Sequence, residues 1–213
     1  MYLPAHFEES RSEVLHALMR AHPFATLMTQ DSDGLEANHL PLHFTAETGP
    51  CGTLQGHVAR ANPLWRQAAD QEVLVIFHGP QAYVTPSWYP TKREHGKAVP
   101  TWNYAVVHVR GRLRVIDDPV WLRQQLDTLV ASHEAGFAEP WLIDDAPPGY
   151  IDTMLAAIVG IEITITRLSG KWKTSQNQPQ ANRAGVADGL RCQGTADALL
   201  MAELVAGTLT PRA

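Results

Sequence analysis

The sequence predicts a mainly β protein, an antiparallel barrel or sheet with peripheral helices. Three observations predict it. Strand-patterned segments dominate the middle of the chain. Helical periodicity is confined to the two ends and to one insertion before the last strand. No regular strand–helix–strand alternation, the mark of a doubly wound sheet, can be traced. Taken in order, Ser10 and Glu13 have capping-box spacing, and Val14, Leu15 and Leu18 share a face, which predicts a helix over 10–21 halted by Pro23. An apolar run over 24–29 is followed by the turn signal Asp31-Ser32-Asp33-Gly34. Then comes an alternating stretch in which Leu40, Leu42 and Phe44 oppose His39 and His43; together these predict a β-hairpin. Residues 53–59 read as a third strand. Asn62 and Pro63 stand at the N-cap and first position of a short helix over 61–69. The unbroken apolar run in 72–77 reads as a central strand, and 82–85 as another that ends at Pro86. Residues 87–100 form a long loop of the kind that compact domains keep for function.

Strand chemistry resumes over 102–116, where Arg110, Arg112 and Arg114 alternate with Val109, Leu113 and Val115. Asp118-Pro119 opens a helix to about His133, and 147–157 reads as another. Ile161, Ile163 and Ile165 alternate with Glu162, Thr164 and Thr166 in a half-buried strand that runs into Lys171-Trp172-Lys173. The remainder shows no element until Thr195, where a last helix begins with Leu200 and Leu204 four apart.

Composition narrows the function. The chain has 213 residues, 45% hydrophobic and 18% charged, which is globular and too apolar for disorder. Only Cys51 and Cys192 are present, which excludes a disulfide scaffold and a four-cysteine zinc module. The net charge of −5 lacks the basic excess usual in nucleic-acid binders, so charge gives direct DNA binding no support. No apolar run approaches the roughly 18 residues of a membrane span, and the N-terminus has no signal-peptide core; the expected location is cytoplasmic. The phosphate-loop, dinucleotide, zincin and nucleophile-elbow motifs are all missing. Ten histidines make a metal or haem site conceivable, yet none falls at a diagnostic ligand spacing, so no metal is expected.

Three segments hold polar and aromatic residues that a core does not require. Gly56-His57-Val58-Ala59-Arg60-Ala61-Asn62-Pro63 joins a strand end to a helix start; it reads as a phosphate cradle or as a routine turn with a solvated arginine. Ser87-Trp88-Tyr89-Pro90, with Thr101-Trp102-Asn103-Tyr104 beyond it, offers rings for stacking a planar ligand; alternatively Trp88 and Trp102 pin the loop. In Gly170-Lys171-Trp172-Lys173, two ammonium groups share a strand face and need an anion or carboxylate, with Gln176 and Asn177 adding amides; the alternative is a solvated strand end.

These segments carry a resemblance. Together with Met1-Tyr2-Leu3-Pro4-Ala5-His6-Phe7, His39-Leu40-Pro41-Leu42, Tyr83-Val84-Thr85-Pro86 and Val99-Pro100, they occur in the order seen in the PaiB family of FMN-binding negative transcriptional regulators, which the chain resembles from Met1 to about Gly189. The resemblance implies a six-stranded antiparallel Greek-key split barrel over 1–190 and leaves 191–213 as a helical tail. It also implies a homodimer with FMN at the interface. Arg60, Asn62 and Ser87 would then meet the phosphate or ribityl chain, and Trp88, Thr101, Trp102 and Asn103 would surround the flavin. Lys171, Trp172 and Gln176 would reach it from the later strand, with His39 and His57 near the ring or at the dimer seam. The fold class leaves two other functions open, an FMN-dependent oxidoreductase acting on a small molecule and a haem-binding protein.

Overall fold

Eight strands and seven α-helices occur among residues 1–32 and 34–209, the part of the chain that the computed structural model describes. Asp33 of the predicted turn and residues 210–213 of the predicted tail lie outside it. The strands are β1 (Glu8–Glu9), β2 (Phe24–Asp31), β3 (Gly34–Pro41), β4 (His43–Thr45), β5 (Thr53–Ala59), β6 (Glu72–Val84), β7 (Thr101–Ile116) and β8 (Ile158–Lys173). The helices are α1 (Ser12–Ala21), α2 (Leu64–Gln67), α3 (Lys92–His95), α4 (Pro119–Glu134), α5 (Tyr150–Ala156), α6 (Gln180–Gln193) and α7 (Ala196–Ala206). The strand order is β3-β2-β6-β7-β8-β5-β4, with β1 paired to β8. Every register recorded is antiparallel. The fold is thus mainly antiparallel β with helices, as the sequence predicts. It has eight strands instead of six, the shortest two being β1 and β4.

The chain packs as two compact units. One comprises Met1–Leu18, His78–Val107 and Ser169–Ala213; the other comprises Met19–Phe77 and His108–Leu168. In the second unit, alternation decides what is buried. Leu27 on β2, Val75 and Phe77 on β6, Leu113 on β7 and Ile161, Ile163 and Ile165 on β8 are almost wholly removed from water. Each such side chain is worth roughly 1.5–3 kcal/mol of transfer free energy. Asp118 caps α4 by accepting the Val120 N–H at 2.9 Å, and Pro119 takes the first helical position, where its missing N–H costs nothing. The Trp121 ring lies against the backbone of β8, where any side chain at position 160 would collide with it; a Cβ there would come within 2.5 Å of the ring.

In the first unit, the core joins β6 to the C-terminal helices. Val84, Tyr89, Val186, Leu190, Met201 and Val205 form one buried cluster, with Trp88 and Leu204 packed on it. Gly185 and Gly189 let α6 approach Trp88. A Cβ at 185 would stand 2.1 Å from the Trp88 carbonyl oxygen, and one at 189 would stand 2.3 Å from the indole. The sequence showed no element here, so α6 is a correction. Its two glycines look like breakers, whereas they serve close packing.

Other boundaries differ for identifiable reasons. Residues 72–77 and 82–85 are one strand, because Gly79-Pro80 shifts the buried positions from odd (Val73, Val75, Phe77) to even (Ala82, Val84) without ending it. The helix expected over 61–69 shrinks to α2, and the long loop contains α3. α1 starts two residues late, since the Glu9 carboxylate takes the Arg11 N–H at 3.0 Å. β5 spans the residues expected of it, and the hairpin β2–β3 pairs Phe24 with Pro41 through to Asp31 with Gly34.

Candidate functional site

The sequence-predicted site residues divide between the two units. Eight lie in the first, where the start of β7 and the end of β8 bring five of them together. Lys173 extends its ammonium group across to β7, donating to the Trp102 carbonyl at 2.7 Å and to the Thr101 hydroxyl. Lys171 donates to the Tyr2 carbonyl at 3.1 Å and lies 5.7 Å and 5.4 Å from the Tyr2 and Tyr104 ring centroids. Among the described residues neither lysine pairs with a carboxylate. Burial holds the Lys173 pKa below the usual lysine value, and the Lys171 charge adds to the effect.

Around the lysines the strand ends are built from amides and hydroxyls. Asn103 is fully buried and donates to the Ser175 hydroxyl at 2.9 Å. Ser175 has a left-handed backbone, φ 64°, a conformation that costs a non-glycine residue energy and clusters at functional sites. Gln176 accepts the Thr174 N–H at 2.8 Å and donates to the Trp172 carbonyl. These bonds turn the chain sharply after β8 and leave a cavity of about 170 Å³ whose polar wall includes Tyr89, Thr101, Asn103, Lys173, Ser175 and Gln178. Burial pushes the Tyr89 phenol pKa up, so it remains a neutral donor. Trp102 is 53% exposed and meets Tyr83 edge-on at 6.1 Å, a ring surface open to a planar partner.

The remaining predicted residues have other surroundings. Trp88 pins its segment against α6, the alternative reading of that indole. Ser87 is exposed, its N–H held by Thr85 at 3.2 Å. Trp172 is buried. In the second unit the Arg60 guanidinium donates to both Asp117 oxygens at 2.9 and 2.6 Å and to the carbonyls of Ala156 and Ile158. Asn62 accepts the Leu64 N–H at 2.9 Å and donates to Asn38 at 2.8 Å. With a four-residue α2 behind them, these bonds build the turn between β5 and α2. His39 is bonded to Thr26 at 3.1 Å, and His57 to buried Gln125 at 3.0 Å. Sequence reasoning assigned no cofactor contact to Lys173, Tyr89, Ser175 or Gln178. The period of two that paired Lys171 with Lys173 already pointed to the first of them.

The strand ends of this mainly antiparallel sheet thus present paired cations, amides and an open tryptophan. Residues 1–167 match the family described as "Putative FMN-binding domain". The Bacillus subtilis protein named protease synthase and sporulation protein PAI 2 is 32% identical over 206 residues, covering 96% of each chain. An uncharacterised protein of Emericella nidulans is 34% identical over 241 residues, again covering 96% of each. The chain belongs to this FMN-binding, PaiB-like family, and its cofactor is FMN. Among solved structures, the flavocytochrome Anf3 of Azotobacter vinelandii shares the fold with a TM-score of 0.60 at 16% identity, over 78% of this chain and 69% of that one. An FAD- and haem-binding protein of Mycobacterium smegmatis does so with a TM-score of 0.59 at 17% identity, over 78% and 73%. No helix among the described residues is long and apolar enough to cross a membrane.

Proposed function

We propose that FMN binds at the β7–β8 end of the first unit and that a second copy of the chain completes the site. The observation that carries this reading is the lysine pair. Two ammonium groups two residues apart, one of them desolvated and neither neutralised by a carboxylate, gain from a bound phosphate dianion. The residues present fit the cofactor: Lys171 and Lys173 take the phosphate, Thr101, Asn103 and Ser175 offer edges to its polar chain or ring, Gln176 holds the turn beside them, and Trp102 offers a face to the isoalloxazine. When bound, FMN supplies the electron-transfer chemistry; the chain binds, orients and shields it. A cavity of about 170 Å³ is smaller than the roughly 300 Å³ at which enclosing ligand sites begin, which supports closure by a second copy. Arg60 and Asn62 are committed to bonds within the second unit, so this reading gives the phosphate to the lysines.

Any regulatory output, which the resemblance to the PaiB regulators implies, would run through protein contacts, given the net charge of −5. Titration calorimetry with FMN tests the site. Lys173→Ala should weaken binding by about 1.5–3 kcal/mol, the worth of a charged hydrogen bond, and Lys171→Ala should do the same, while Arg60→Ala leaves affinity unchanged. Wild-type affinity in both lysine variants would place the phosphate elsewhere. A Soret band in the purified protein, in place of flavin absorbance, would favour the haem reading.

A further inference from the structure

We propose that the cavity lined by the last turn of α1, β4 and the end of α4, within the second unit, binds a small carboxylate carrying a short apolar group. Three basic side chains meet there without a balancing acid: Arg20 from α1, His43 from β4 and His133 from α4, with the Ser132 hydroxyl beside them. Among the described residues, no aspartate or glutamate lines the cavity. Arg20 makes no ion pair among the described residues; its guanidinium sits over the Phe44 ring, 5.1 Å from the centroid. An arginine held by a ring and not by a carboxylate keeps donors for an incoming one, and its fork matches that group's two oxygens.

The electrostatics agree with the geometry. Burial lowers the His43 pKa first, and the charges of Arg20 and His133, which face it from the two helices, lower it further. The cations therefore repel one another, and an anion among them would relieve that repulsion. The wall selects the kind of anion. Phe44 and Leu129 supply apolar surface, and the space is only about 120 Å³. A bare inorganic ion would give up hydration against those side chains without return, whereas a short alkyl chain would bury its own apolar surface there. The cavity shares no residue with the flavin site proposed above.

The test uses the full chain, labelled for detection of the histidine side chains by NMR, and sodium butyrate at constant ionic strength. At pH 6, butyrate should shift the His43 and His133 resonances saturably, and raising the pH to 8 should weaken binding as His43 loses its charge. Arg20→Gln, an exposed position that leaves the core untouched, should weaken it at least tenfold, and His43→Gln should abolish the pH effect. Inorganic phosphate should shift the same resonances more weakly. Saturating FMN should leave butyrate binding unchanged, whatever becomes of the flavin site. Shifts that do not saturate, wild-type affinity in Arg20→Gln, phosphate binding at least as tightly as butyrate, or displacement of butyrate by FMN would each overturn the proposal.

Discussion

Lys173 and Arg60 show how differently two cations of one chain can be used. Arg60 spends its donors on Asp117 and two carbonyls, and each member of the ion pair favours the other's charged form. Lys173 sits among neutral acceptors, with its charge opposed by burial and by Lys171. The consequence for stability has a definite sign. In the folded state the Lys173 pKa lies below its unfolded value, so between the two the unfolded chain holds more protons. Stability should therefore rise with pH through the range beneath the ordinary lysine pKa of 10.5. Urea unfolding at pH 8 and pH 10 checks it: Lys173→Met should reduce the rise, and an identical slope in wild type and variant would contradict the assignment. FMN should reverse the shift, because a phosphate beside Lys173 favours its protonated form. Sequence alone could not separate these cations. The partner of Arg60 is 57 residues away, and long-range pairing leaves no local signal. The lysine pair was legible because strand alternation is itself local.

The elements divide on the same ground. β5 and α4 were legible because alternation and an Asp-Pro cap are written in consecutive residues. α6 and the continuity of β6 were not, because Gly185, Gly189 and Gly79-Pro80 read locally as interruptions. What those glycines do depends on neighbours distant in sequence. In most helices Gly→Ala stabilises by roughly 0.5–1 kcal/mol. Here the sign should reverse. In Gly185→Ala the new methyl carbon meets backbone, the Trp88 carbonyl oxygen at 2.1 Å, which cannot move aside cheaply. Gly189→Val should be worse, since the carbon falls 2.3 Å from a rigid indole. Overpacking of this kind typically costs 1–3 kcal/mol. Chemical denaturation measures it, and a stabilised Gly185→Ala would show that the helix has room to retreat.

For the whole molecule, the mainly antiparallel class was legible from the strand-rich middle and the missing βαβ rhythm. The strand count was not, because β1 and β4 have two and three residues, too few to carry a period. The candidate site was half legible: the β7–β8 residues were named, but the turn after β8 that completes them depends on bonds such as Asn103 to Ser175. Two predictions concern the molecule as a unit. Sedimentation equilibrium should give twice the 213-residue chain mass, more firmly with FMN present; a monomer with FMN bound would show that one copy suffices. With a net charge of −5, a mobility-shift assay on duplex DNA should show no complex at 50 mM salt, where electrostatic contacts are strongest; a salt-sensitive complex would reveal a local basic patch.

The change of phase at Gly79-Pro80 has a genetic corollary. β6 reads inward in one frame up to Phe77 and in the other from Ala82 to Val84. Loss of a single codon between them would leave the composition nearly intact, yet it would point Tyr83 into the interior and Val84 toward solvent. Homologues should therefore tolerate many substitutions along this strand but almost no change in its length.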